Sequence, residues 1–146
     1  MKTTTLEKIE QIESKYPIKI PIEHKNFLLN LDSPLRYLDK KYYMVEYGSD
    51  KYIKISELYD INKIYEFIEY FQDGNKEDSL DDYELEFFEK KLYNIGETYE
   101  EFDLCISYSD ENYGKVYFTN MIHDNETTFL ANNFDEFMLK LTTNPD

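Results

Sequence analysis

The sequence predicts an α+β fold: a mostly antiparallel sheet flanked by N-terminal, middle and C-terminal helices, in one domain over residues 1–146. Three observations predict it. Apolar residues recur at helical spacing in separate stretches near the start, in the middle and at the end. Between these stretches, apolar and polar residues alternate, as in strands with one face buried. The alternating runs are joined by short turns, Gly48-Ser49-Asp50 and Asp110 to Gly114, so consecutive strands fold back on one another.

Residues 3–15 form the first expected helix, with Thr4 three before Glu7 as in a capping box and Leu6, Ile9 and Ile12 as its apolar stripe. Pro17 and Pro21 bracket an extended Ile18-Lys19-Ile20. Pro21 then opens a second helix, where its missing N–H costs nothing, with Phe27, Leu28 and Leu31 facing inward; Asp32-Ser33-Pro34 ends it. Tyr43, Val45 and Tyr47 alternate against Tyr42, Met44 and Glu46 in a strand, and Lys51 to Ile55 returns beside it. Leu58, Ile61, Ile64, Tyr65, Ile68 and Phe71 then fit a helix capped by Ser56 and stopped by Gly74-Asn75. Ser79 is the expected cap of a short helix holding Leu80, Tyr83, Phe87 and Phe88, and 92–96 is extended. Phe102, Leu104, Ile106 and Tyr108 alternate with Asp103, Cys105 and Ser107; Lys115 to Thr119 returns, and Thr127 to Ala131 follows a turn at His123 to Asn125. The last helix starts at Asn133, three before Glu136, with Phe134, Phe137, Met138 and Leu141 on its apolar face.

The chain carries 31 acidic and 16 basic side chains, a net charge of −15, and 41 % hydrophobic residues, enough for a core that buries roughly two-thirds of the unfolded surface. Such a balance excludes generic nucleic-acid binding and adsorption to anionic membranes, and suits a basic protein partner or simple solubility. The opening MKTTTLEKIEQ contains no apolar signal-peptide core, no window reaches 18 apolar residues, and the one cysteine, Cys105, forms neither a disulfide within the chain nor a zinc cluster. A reduced, cytoplasmic setting is therefore expected.

The charge is concentrated. Residues 1–59 hold 9 acids and 10 bases, whereas residues 60–111 hold 17 acids and 4 bases. The densest run contains Asp73, Glu77, Asp78, Asp81, Asp82, Glu84, Glu86 and Glu89. Like charges at helical spacing repel, a cost that a cationic partner would relieve. Tyr83, Phe87 and Phe88 are interleaved with these acids, and they read either as interface anchors or as core residues under a solvated rim; Tyr83 is where the two readings differ most. Asp110, Glu111 and Tyr113 make a second candidate at a turn.

Chemistry finds little purchase elsewhere. Residues 73–84, DGNKEDSLDDYE, lack the central glycine of a calcium loop, so no metal ligands are assigned. His24 and His123 have no second histidine or cysteine at ligand spacing, and surface or structural roles suit both. Cys105 lies between Leu104 and Ile106 without an evident base. Paired carboxylates are uninformative in so acidic a chain, and the four glycines stand apart, so no phosphate loop exists. No catalytic residue and no cofactor is assigned.

Three segments carry a resemblance. Ile20-Pro21-Ile22-Glu23-His24-Lys25-Asn26-Phe27-Leu28, the strand–turn–strand of Leu104 to Tyr108 and Tyr113 to Phe118, and Phe129 to Met138 together resemble the SUKH superfamily of Smi/Knr-like domains. The chain departs from that pattern in having no glycine in Asn30 to Pro34, after the second helix. The resemblance implies a non-enzymatic immunity protein that binds a cognate secreted toxin, a basic nuclease, and occludes its active or substrate-binding surface. From the charge, no nucleic-acid or membrane partner is expected, and the free chain is expected to be monomeric or weakly dimeric. A regulatory or scaffold interaction module is the alternative, and a small hydrolase with a carboxylate pocket a third class. The acidic middle block matches the family least, and partner specificity is expected there.

Overall fold

The computed structural model describes residues 4–31, 35–36, 43–48, 51–120 and 126–143. In chain order its elements are α1 (Thr5–Lys15), α2 (Ile22–Leu29), β1 (Leu35–Arg36), β2 (Tyr43–Gly48), β3 (Lys51–Leu58), α3 (Ile61–Lys76), α4 (Asp82–Glu89), β4 (Leu92–Thr98), β5 (Asp103–Ser107), β6 (Val116–Asn120), β7 (Glu126–Ala131), α5 (Phe134–Lys140) and β8 (Thr142–Thr143). The strands form one antiparallel sheet in the order β7-β6-β5-β4-β3-β2-β8, with β1 pairing β3 beyond the end of β2. β7 also approaches β2, so the sheet curls toward closure. The expected α+β architecture is what forms.

Local signals explain most boundaries. The Thr4 hydroxyl accepts from the Glu7 N–H at 3.1 Å and starts α1, and the Asn133 side chain accepts from Glu136 at 2.8 Å and starts α5. In α1 the stripe is narrower than expected, because Ile9 and Ile12 are buried while Leu6 is exposed. Ile18 and Ile20, between the two prolines, are buried, and the Ile20 N–H is held by Glu13 at 3.0 Å. Pro21 sits one position before α2, as its N-cap.

Three expectations need correction. β3 continues through Ser56 to Leu58, because Leu58 pairs with Leu35 on one side and Gly96 on the other. The Ser56 hydroxyl therefore donates to the Glu97 carbonyl at 3.0 Å, and Asp60 caps α3 by accepting from Lys63 at 3.0 Å. Gly74 does not end α3, which runs to Lys76. Gly74 is buried, and a Cβ there would lie 2.7 Å from Leu80 Cδ2, so its value is the close approach of the following loop. The cap of α4 is Asp81 rather than Ser79. The predicted features at Asp32 to Pro34, Ser49-Asp50 and His123 to Asn125 lie outside the described residues.

The main core lies between one face of the sheet (Ile53, Ile55, Tyr93, Ile95, Leu104, Ile106, Val116, Phe118 and Leu130) and the buried sides of α1, α2, α3 and α5. Among its large side chains sits His24, which sequence reasoning left as surface or structural. The fold makes it structural: it is 1 % exposed, its Nδ1 shares a 2.8 Å hydrogen bond with the Tyr93 hydroxyl, and its ring lies against Phe27, Tyr93 and Phe134.

Burial pulls the His24 pKa down to about 3 from an ordinary 6.5. The unfolded chain therefore takes up a proton below pH 6.5 that the folded chain refuses, so this histidine's contribution to stability falls as the pH drops from 6.5 toward 3. The slope reaches about 1.4 kcal/mol per pH unit. Chemical denaturation of His24→Gln, which keeps a hydrogen-bonding group and does not titrate, is expected to lose less stability between neutral and mildly acidic pH than the parent chain.

Candidate protein-interaction surface

The acids of the middle third assemble around α3 and α4. α3 buries Ile61, Ile64 and Ile68 toward the core, and this orientation turns Glu66, Glu69, Asp73 and Glu77, spaced three to four apart, to one outer side. With Tyr70, Gly74 and Ser79 these acids line a shallow concavity of about 450 Å³. A second concavity of about 330 Å³ adjoins it, lined by Lys63, Glu66, Phe67, Tyr70 and Glu84. Tyr70 is shared by both and is 47 % exposed; its hydroxyl donates to the Glu84 carboxylate, bridging α3 and α4. Repulsion within the stripe is offset at Glu69 by Lys15, 3.8 Å away.

Several of the predicted acids also serve the helices. Asp81 accepts from the Glu84 N–H at 2.8 Å while Glu84 accepts from the Asp81 N–H at 3.0 Å, a complete capping box. Asp82 and Glu84 stand in the first turn of α4, where the helix dipole favours negative charge. Glu86 pairs with Lys90 at 3.4 Å. Asp78 occupies the link from α3 to α4 with φ +56. Asp78, Asp81 and Asp82 stay exposed despite these tasks.

Tyr83 proves to be committed to the fold. Phe87 is buried with Leu92 and Cys105, against Phe71 and Tyr117, on the sheet face opposite the main core. One turn earlier, the Tyr83 hydroxyl donates to Asp103 Oδ2 at 2.9 Å and lies 2.9 Å from the Thr119 hydroxyl. Asn94 donates to the other Asp103 oxygen at 3.3 Å, and its own Oδ1 is buried without a partner. Burial pushes the Asp103 pKa up, and the bond from Tyr83 pulls it back. Truncating Tyr83 would therefore disturb the seat of α4. On the acidic side of α3 the exposed Tyr70 lies between Glu66, Glu69 and Asp73, and sequence reasoning passed it over. The available signal was the 66-69-73-77 spacing of acids around it.

The second predicted patch is connected to the first. Asp110, Glu111 and Tyr113 occupy the turn between β5 and β6, and the Tyr113 hydroxyl donates to the Lys19 carbonyl at 3.0 Å. Tyr113, Asp110 and Tyr108 line a concavity of about 300 Å³ with Glu13, Tyr16, Pro17, Ile18 and Lys19. From it the Tyr16 hydroxyl reaches Asp73 at 3.4 Å, and Gln72 of α3 donates to the Tyr108 hydroxyl at 3.1 Å. The buried Tyr16 and Gln72 thus tie two segments far apart in sequence together beneath the surface.

Among the described residues no set of three His, Cys, Asp or Glu side chains is placed to hold a metal ion, and no helix is long and apolar enough to cross a membrane. Cys105 is fully buried, which raises its thiol pKa well above the usual range and keeps it protonated.

Comparison with known proteins gives one family. The family model described as SMI1 / KNR4 family (SUKH-1) matches residues 3–140. No curated protein matches the chain.

The Tyr83–Asp103 contact is open to a direct test. Tyr83→Phe is expected to cost about 1–2 kcal/mol in urea denaturation, because it leaves a half-buried carboxylate short of a donor. Tyr83→Phe and Asp103→Asn are expected to combine less than additively, since both remove the same bond.

Proposed function

Because the chain belongs to the SMI1 / KNR4 family (SUKH-1), we propose that it is an immunity protein, which binds a cognate secreted toxin inside the cell that makes it. The proposed toxin is a basic nuclease, and its active or substrate-binding surface is what the chain covers. Binding, not catalysis, is the proposed activity, and the cytoplasm is its proposed place. The observation that carries this reading is the continuous acidic surface of α3 and α4, with Tyr70 exposed at its centre. A nuclease surface that holds phosphates must be cationic. An anionic face of matching extent steers encounter with such a surface and competes with its substrate. Residues 60–111, with 17 acids against 4 bases, supply that field.

The proposed interface includes Asp73, Glu77, Asp78, Asp82 and Glu84 with Glu66, Glu69 and Tyr70 added, and Asp110, Glu111 and Tyr113 at its second end. Asp81 and Glu86 contribute charge from within α4. Tyr83 acts from below, by fixing the helix that presents the acids. The contact strength is expected near −12 kcal/mol, about nanomolar.

The test is stopped-flow and calorimetric binding to the basic protein that the tagged chain captures from lysate of its own species. Glu66→Gln, Glu69→Gln and Glu77→Gln together are expected to slow association about tenfold at low salt, with the thermal midpoint unchanged or slightly raised by relief of repulsion. Tyr70→Ala is expected to speed dissociation instead. Binding that is indifferent to both sets of changes would remove this surface from the proposal.

A further inference from the structure

The helix that presents acids above the second sheet face is held apart from the main core. Of the eight residues of α4, Phe87 is the buried one. It packs with Leu92 and Cys105, against Phe71 and Tyr117, in a cluster separate from the one that holds Ile55, Ile64 and Ile95. Polar ties add to this contact: Tyr83 to Asp103 and Thr119, Tyr70 to Glu84, and Lys90 to the Thr127 hydroxyl at 3.1 Å. The seat of α4 also works against itself. Asn94 stands opposite Cys105 in the β4–β5 ladder, and its Oδ1 is buried with no partner among the described residues. Asp103 keeps hydrogen bonds from Tyr83 and Asn94 but loses hydration, and burial pushes its pKa up. Water reaches both groups when the helix lifts, so opening recovers hydration that closure removes. The chain on either side of α4 is strained as well. Asp78 before it and Lys91 after it have φ of +56 and +57, a left-handed backbone that side chains with a Cβ disfavour.

We propose that α4 is a lid: it opens as a unit about Asp78 and Lys91 and uncovers Cys105, Asn94 and Asp103, while the main core stays folded. Three separate observations point the same way. The apolar contact that holds α4 is a small cluster of its own, so breaking it leaves Ile55, Ile64, Ile95 and their neighbours packed. The groups it covers include an unpaired carbonyl and a desolvated carboxylate, which favour the open form. The two strained residues bracket the helix, and hinges are few residues that absorb a backbone change. The inference does not depend on what binds the outer surface of α3 and α4.

Cys105, the chain's one cysteine, is fully buried in the Phe87 cluster and reports the opening. The experiment follows its modification by excess methyl methanethiosulfonate, an uncharged thiol reagent, in the full-length chain without denaturant, read by mass spectrometry. Two variants separate lid opening from unfolding of the whole chain. Ile64 of α3 is fully buried in the main core, so Ile64→Val weakens the closed and the lid-open forms alike relative to the unfolded chain. It is expected to lower the urea midpoint while the labelling rate of Cys105 stays within about twofold of the parent's. Tyr83→Phe weakens the closed form alone, and is expected to speed labelling about tenfold through loss of the bond to Asp103. If Cys105 is reached only when the whole chain unfolds, Ile64→Val speeds labelling by the factor by which it raises the unfolding constant, and the inference is overturned. A labelling rate that Tyr83→Phe leaves unchanged overturns it too.

Discussion

Five consecutive residues of β4, Leu92 to Gly96, are buried, which a strand achieves only when both faces of its sheet are covered. The helices α1, α2, α3 and α5 cover one face, with Tyr93 and Ile95 beneath them. The other face needs a cover of its own over Leu92, Asn94, Cys105 and Tyr117, and α4 provides it through Phe87 and Tyr83. Once α4 must turn these rings inward, its acids have no direction left but outward. The placement of charge therefore follows from the demand of the central strands for burial.

The same demand explains why so acidic a segment is tolerated. Asp60, Asp81 and Glu84 sit where helix N-termini expose unpaired N–H groups, so part of the negative charge is absorbed by the backbone. Lys15, Lys25, Lys90 and Lys140 each lie within 4 Å of a carboxylate and soften the repulsion locally. What remains is gathered on the stripe of α3 and the outer side of α4. On α2 and α5, by contrast, Ile22, Leu29 and Leu139 are exposed.

Much of this was legible in the sequence because it depends on neighbours along the chain. The caps at Thr4 and Asn133, the proline-bracketed Ile18 and Ile20, the alternation of Leu104 and Ile106 and the concentration of acids after residue 60 are all local patterns, and each appears where its spacing placed it. Other features were decided by partners distant in sequence. Ser56 has the chemistry of a helix cap, but β4 claims it as a strand residue, and Gly74 has the look of a helix stop, but Leu80 needs its missing side chain. His24 reads as an unassigned histidine until Tyr93 and Phe134 close around it. Tyr83 and Tyr70 are both tyrosines among acids, and only the sheet beneath Tyr83, with Asp103 and Thr119 ready to bond its hydroxyl, separates the half-buried one from the exposed one. The sequence by itself determined the element types, the α+β class and the sign and location of the charge, since periodicity, capping and composition act over a few residues. The tertiary structure alone decided how far Tyr70 and Tyr83 face water and that the buried Tyr16 and Gln72 tie the start of the chain and the β5–β6 turn to α3, because burial and cross-strand contact are set by residues that meet only when the chain has folded.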